Sequence, residues 1–118
     1  MTDNAAVKYR SIDWPALVAK LGGDETLAST LLGIAQRSSA AMPADLRTAA
    51  DTANFETMSR LAHKLKGTCG DICAQALREQ AAATELAARA SAPDAASRTR
   101  DLADALDAFL HELQAAAS

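Results

Sequence analysis

Residues 55–72 read FETMSRLAHKLKGTCGDI. Phe55, Met58, Ala62, Leu65, Cys69 and Ile72 recur at spacings of three and four, a continuous apolar stripe of helical period. Asn54, just before the stripe, is a good N-cap because its side-chain carbonyl can accept a bond from an early backbone N–H. The stretch therefore predicts an amphipathic helix of about five turns that buries one face against other helices.

The surrounding sequence continues in the same style. Thirty of the 118 residues are alanine, only five are valine or isoleucine, and 28 larger apolar residues remain. Strands need β-branched and aromatic side chains to cover a pleated surface, whereas alanine favours helix and lets helices approach closely. The prediction is an all-α fold with one small core. Asp13 caps a short helix from Trp14 to Leu21, with Pro15 tolerated in its first turn, and Gly22-Gly23 ends it. Asp24 opens a long segment on which Leu27, Leu31 and Ile34 share a face, continued beyond Pro43 by Leu46 and Ala50. Pro43 should kink or interrupt it. A further helix runs from about Ala74 to Ala90 through Leu77, Ala81, Thr84 and Ala88. Pro93 breaks the chain, and a last helix spans Asp94 to Ala116 on Leu102, Leu106, Phe109, Leu110 and Leu113. Short loops between long amphipathic helices make neighbours antiparallel. The expected architecture is an up-down-up-down four-helix bundle with a short accessory N-terminal helix. Residues 1–11 are expected to be a flexible lead-in and residues 12–118 the domain.

Charge and targeting signals narrow the function. A net charge of -3 argues against a nucleic-acid partner. No apolar run reaches the roughly 18–20 residues that span a bilayer, and the first residues lack the pattern of a secretory signal. A cytoplasmic protein is expected, with Met1 read as a natural start of a free-standing chain. Cys69 and Cys73 lie four apart, too close for a disulfide to stabilise much. A metal site made of His63, Cys69 and Cys73 is not expected, because His63 projects away from the Cys69 face and paired ligand spacing is absent.

The chemical signal is His63. At about 100° per residue it lies roughly 130° from the centre of the apolar stripe, among Glu56, Ser59, Arg60, Gly67 and Gly70. Glycine inside a helix costs about 1 kcal/mol relative to alanine, so two glycines here call for a reason. The one suggested is clearance, with a partner's surface coming close to the imidazole. Lys64, Lys66 and Arg60 make a positive patch around it. A neutral imidazole keeps one lone pair free to attack phosphorus, and the cations offset the charge of an arriving phosphoryl group. His111 has no such setting and is read as a surface residue.

The run Ala62-His63-Lys64-Leu65-Lys66-Gly67, followed by Gly70, Ile72, Ala74 and Leu77, resembles the signature of histidine-containing phosphotransfer (HPt) domains, the intermediates of multistep two-component phosphorelays. The resemblance extends over nearly the whole chain. It implies that His63 is phosphorylated on Nε2, that Lys66 meets the phosphoryl group or the incoming receiver domain, and that Gly67 keeps the histidine accessible. It also implies that Glu85 bonds the other ring nitrogen, fixing the tautomer. Arg60, Ser59, Gly70 and Arg89 are the expected partner-binding residues, with Arg89 adding to a basic rim. The implied protein is a phosphorelay intermediate, not an ATP-dependent kinase, and no Gly-rich nucleotide loop is present. It would take a phosphoryl group from the aspartyl phosphate of a hybrid sensor kinase receiver and pass it to a response-regulator receiver. It would bind no cofactor, since Mg²⁺ belongs to the receiver, and would be a monomer. The alternative is a helical adaptor that binds receivers without carrying phosphate. Two departures stand out. Cys73 replaces a common glycine, which suggests either a strain of about 1–2 kcal/mol or, as expected here, a differently built turn. Thr84 replaces a common leucine and should thin the core.

Overall fold

The structure, a computed structural model, describes residues 9–117. They form helices α1 (Trp14–Lys20), α2 (Glu25–Ser39), α3 (Met42–Asp51), α4 (Phe55–Asp71), α5 (Gln75–Arg89) and α6 (Ala95–Ala117), with no strand among the described residues. The all-α expectation holds.

Local chemistry sets most boundaries. Asp13, Asp24 and Asn54 each cap a helix, their side chains accepting from the backbone N–H of Ala16, Leu27 and Thr57. The break between α2 and α3 falls at Ala40-Ala41 rather than at Pro43. Pro43 lies in the first turn of α3, where the missing N–H costs nothing. Four helices end by the same closure, in which a residue of left-handed conformation lets the next N–H reach back five residues. Gly22 (φ 73°) does this after α1. Ala53 (φ 50°), Cys73 (φ 60°) and Ser91 (φ 48°) do it after α3, α4 and α5, with bonds from Asn54 N to Ala49 O, Ala74 N to Cys69 O and Ala92 N to Ala87 O, each 2.9 Å. The turn at Cys73 is thus built in the ordinary way with a strained residue, contrary to the expectation of a different turn.

Packing brings α4 most closely against α5, and α6 against α3 and α5. α3 and α6 run antiparallel, tied by Arg47 to Asp104 and Asp107 and by Asp51 to Arg100. The core holds Leu17, Leu46, Leu65, Ile72, Leu102 and Leu106 with almost no exposure, each such side chain contributing about 1.5–3 kcal/mol by burial. Ala49, Met58, Ala88 and Ala95 close a second cluster where α3, α4, α5 and α6 meet, and three alanines there permit the close approach. Thr84 is buried, and its hydroxyl donates to the Gln80 carbonyl at 2.9 Å.

Two expectations are corrected. The buried face of α2 is Ala28, Leu32, Ala35 and Ser39, while Leu27 and Ile34 are 47 % and 49 % exposed and Leu31 is half-buried. Both stripes of this helix are apolar, and the stripe of Ala28, Leu32 and Ala35 is the one turned inward. The lead-in also ends earlier than residue 11. Tyr9 is buried and stacks on Trp14 with ring centroids 5.1 Å apart, and the Ser11 N–H and hydroxyl donate to the Glu112 carboxylate at 2.9 and 2.7 Å. Residues 1–8 of the expected lead-in lie outside the described residues.

Candidate functional site

The seam between α4 and α5 carries the site. His63 leaves α4 with its side chain 62 % exposed, and Glu85 leaves α5 with its side chain 5 % exposed, Nδ1 standing 2.9 Å from Oε2. Burying a carboxylate is costly unless cations and donors satisfy it. Here three groups do so: Lys66 Nζ at 2.8 Å from Oε1, and Arg89 Nη2 at 2.6 Å and His63 Nδ1 at 2.9 Å from Oε2. The Lys66 hydrogen bond foremost, with those of His63 and the charge of Arg89, holds the Glu85 carboxyl below its usual range against burial, which pushes the other way.

That ionised carboxylate decides the tautomer. It can only accept, so the proton of the imidazole sits on Nδ1 and the lone pair on Nε2, which has no hydrogen-bond partner among the described residues. The arrangement is a nucleophilic nitrogen turned outward and a ring held from behind.

The other candidate residues divide around this centre. Lys66 and Arg89 both belong to the Glu85 cluster. Lys64 is exposed and has no ion pair with His63 or Glu85, and Ser59 is half-buried. Arg60 is exposed on the α3 side of α4, lining a cleft of about 300 Å³ with Asp45 and Thr57. The two glycines differ. A β-carbon on Gly67 would meet nothing within 4 Å, whereas one on Gly70 would stand 3.3 Å from Nε of Arg78. The clearance expected at both is open at Gly67 alone, since at Gly70 the chain's own arginine uses it. Sequence reasoning passed over Arg78, although Gly70 lies seven residues after His63 and Arg78 seven before Glu85, so that the His63–Glu85 pair predicts their juxtaposition in an antiparallel seam. It also passed over Leu86, 69 % exposed beside Glu85, and Lys20, which donates to the last carbonyls of α4 at Gly70 and Asp71.

His111 is exposed and its Nδ1–H donates to the Asp107 carbonyl, away from this cluster. Among the described residues no three His, Cys, Asp or Glu side chains gather closely enough to hold a metal ion, and no helix is long and apolar enough to cross a membrane.

An exposed imidazole on a helical bundle, oriented from behind by a buried carboxylate and flanked by cations, defines a class of module that presents a histidine to anionic chemistry. The chain belongs to the Hpt domain family, whose model matches residues 30–116, well over half of the sequence. Hpt domains are histidine phosphotransfer modules of two-component phosphorelays and interact with receiver domains. No curated protein and no solved structure matches the chain.

Proposed function

We propose that His63 is the phosphorylated residue and that it relays a phosphoryl group between the aspartates of two receiver domains. The observation that carries this is the bond from His63 Nδ1 to Glu85, which leaves Nε2 as the free nucleophile on the exposed edge of the ring.

In the forward step the Nε2 lone pair attacks phosphorus of an aspartyl phosphate. The N–P bond forms as the acyl P–O bond breaks, and the receiver aspartate leaves as a carboxylate. Positive charge develops on the imidazole and Glu85, accepting from Nδ1–H, stabilises it at short range. Lys66, already at the seam, supplies a cation for the phosphoryl oxygens. The second transfer reverses these bonds on another receiver. Mg²⁺ is held by the receiver's acidic pocket. The basic groups Lys64, Lys66, Arg60 and Arg89 complement that pocket, and the exposed Leu86 beside Glu85 offers apolar contact for transient docking. A cytoplasmic setting follows from such partners.

Incubation with a phosphorylated receiver should label the wild type, with acid-labile and alkali-stable phosphate, and leave His63→Gln unlabelled. Label persisting in that variant overturns the site. Receiver binding without any label in the wild type supports the adaptor alternative instead.

A further inference from the structure

Arg78 is a cation that the fold positions and does not use. Its neighbours at three and four residues are Ala74, just before α5, and Gln75, Ala81 and Ala82 on it, none of them acidic. Arg47, Arg89, Arg98 and Arg100 each have a carboxylate partner, whereas no carboxylate of the described residues stands within 4.0 Å of the Arg78 guanidinium. The side chain nonetheless has a definite place. A β-carbon at residue 70 would lie 3.3 Å from its Nε and 3.6 Å from its Cδ, so Gly70 opens the track along which the arm crosses α4. The track leads to the rim of a surface cavity of about 480 Å³, lined also by Gln75 and Asp13. The Asp13 carboxylate is engaged in capping α1.

The position is tied to His63 by register. Seven residues separate His63 from Gly70 on α4 and Arg78 from Glu85 on α5, two helical turns or about 10 Å along one seam. A glycine in the last turn of α4 is matched to an arginine that finds no acid among the described residues. A planar fork about two turns along the seam from the reacting nitrogen suits a carboxylate on a partner surface.

We propose that Arg78, seated over Gly70, is a specificity-determining contact that pairs with an acidic residue of the receiver domain about 10 Å from its phosphorylatable aspartate. This rests on the phosphorelay reading of His63. The pairing sits outside the reacting atoms, so it governs encounter and orientation rather than bond making, and salt weakens it.

The test is rapid-quench transfer over a range of receiver concentrations, using the fastest donor from a panel of receiver domains charged with acetyl phosphate. Arg78→Ala should raise the half-saturating receiver concentration about three- to tenfold and leave the saturated rate unchanged. Arg78→Glu should raise it further, and both should flatten the dependence on salt. Gly70→Ala, whose β-carbon would press on the arm at 3.3 Å from Nε, should reproduce part of the Arg78→Ala effect while its melting temperature stays close to that of the wild type. Wild-type kinetics in Arg78→Glu overturn the inference and leave the relay function standing. A loss confined to the saturated rate also overturns it. If the wild type accepts no phosphoryl group from any receiver, the relay function itself fails.

Discussion

Glu85 is almost wholly buried, yet its carboxylate bonds the Nδ1 of an imidazole that is mostly in solvent, His63, at 2.9 Å. The seam thus puts the fixed charge inside and the reactive nitrogen outside. Removing Glu85 leaves Lys66 and Arg89 able to turn to water, since their side chains are 31 % and 62 % exposed. Glu85→Ala should therefore stay folded by circular dichroism and slow phosphoryl transfer about tenfold or more, as loss of an orienting partner does elsewhere. An unchanged transfer rate would show that the carboxylate only fills the seam.

The same carboxylate makes stability depend on pH. Its folded-state value is depressed, chiefly by Lys66. A depressed carboxyl contributes stability that is present above the unfolded value, about 4.3 for glutamate, and is lost as pH falls through the lower folded value. Urea melts from pH 6 down to pH 3 should show a fall in stability that is shallower in Glu85→Gln, which has no proton to take up. Parallel acid limbs in the two proteins would place the titration elsewhere.

Three helix ends store strain. Ala53, Cys73 and Ser91 hold φ of 50°, 60° and 48° where a side chain crowds the carbonyl. Left-handed conformation costs an L-residue about 1–2 kcal/mol, and glycine returns part of that gain as added freedom of the unfolded chain. Each change to glycine should stabilise the bundle by up to about 1 kcal/mol, read as a higher midpoint in urea. Cys73→Gly is the sharpest case, because the turn it relaxes carries α4 into α5. A lowered midpoint there would show that the Cys73 side chain contributes more by packing than its backbone costs.

What could be read from the residues alone was what they determine locally. Asp13, Asp24 and Asn54 announce helix starts because a short polar side chain bonds its own backbone. Leu77, Ala81, Thr84 and Ala88 announce a buried face because they recur at helical spacing, although Leu86 on the same helix stays exposed. α2 misled because Leu27, Leu31 and Ile34 compete with Ala28, Leu32 and Ala35, and two apolar stripes on one helix do not say which turns inward. Tyr9 was assigned to a loose end because its place depends on Trp14 and the mouth of the bundle. At the site, the run from Ala62 to Gly67 carried a legible resemblance, which alone pointed to Glu85, and the surroundings of Gly70 did not show, since they appear only once α5 lies alongside α4 with Arg78 opposite.

The cysteines offer a check on that packing. Cys69 is buried and its thiol is pushed up to about 12 by desolvation, with Arg78 opposing weakly, whereas Cys73 is half-buried at the turn. The thiolate is the reactive form. At pH 8 iodoacetamide should modify Cys73 within minutes and Cys69 only after denaturation, as mass spectrometry of peptides would show. Equal labelling of both in the native protein would mean that the end of α4 opens.

Gly67 separates stability from function most cleanly. Nothing lies within 4 Å of where its β-carbon would be, and its φ is not positive, so no native contact opposes a methyl group there. Alanine in mid-helix is favoured over glycine by about 1 kcal/mol, so Gly67→Ala should melt higher than the wild type. The added methyl group stands one turn beyond His63 on the exposed face, where a receiver must approach to bring phosphorus to Nε2. Transfer should slow, and more so for Gly67→Val, whose branched side chain reaches further. A variant that is both more stable and slower ties the glycine to the approach of a partner. One that is more stable and equally fast removes Gly67 from the docking surface and leaves the open track at Gly70 as the only glycine on this face with an assigned use.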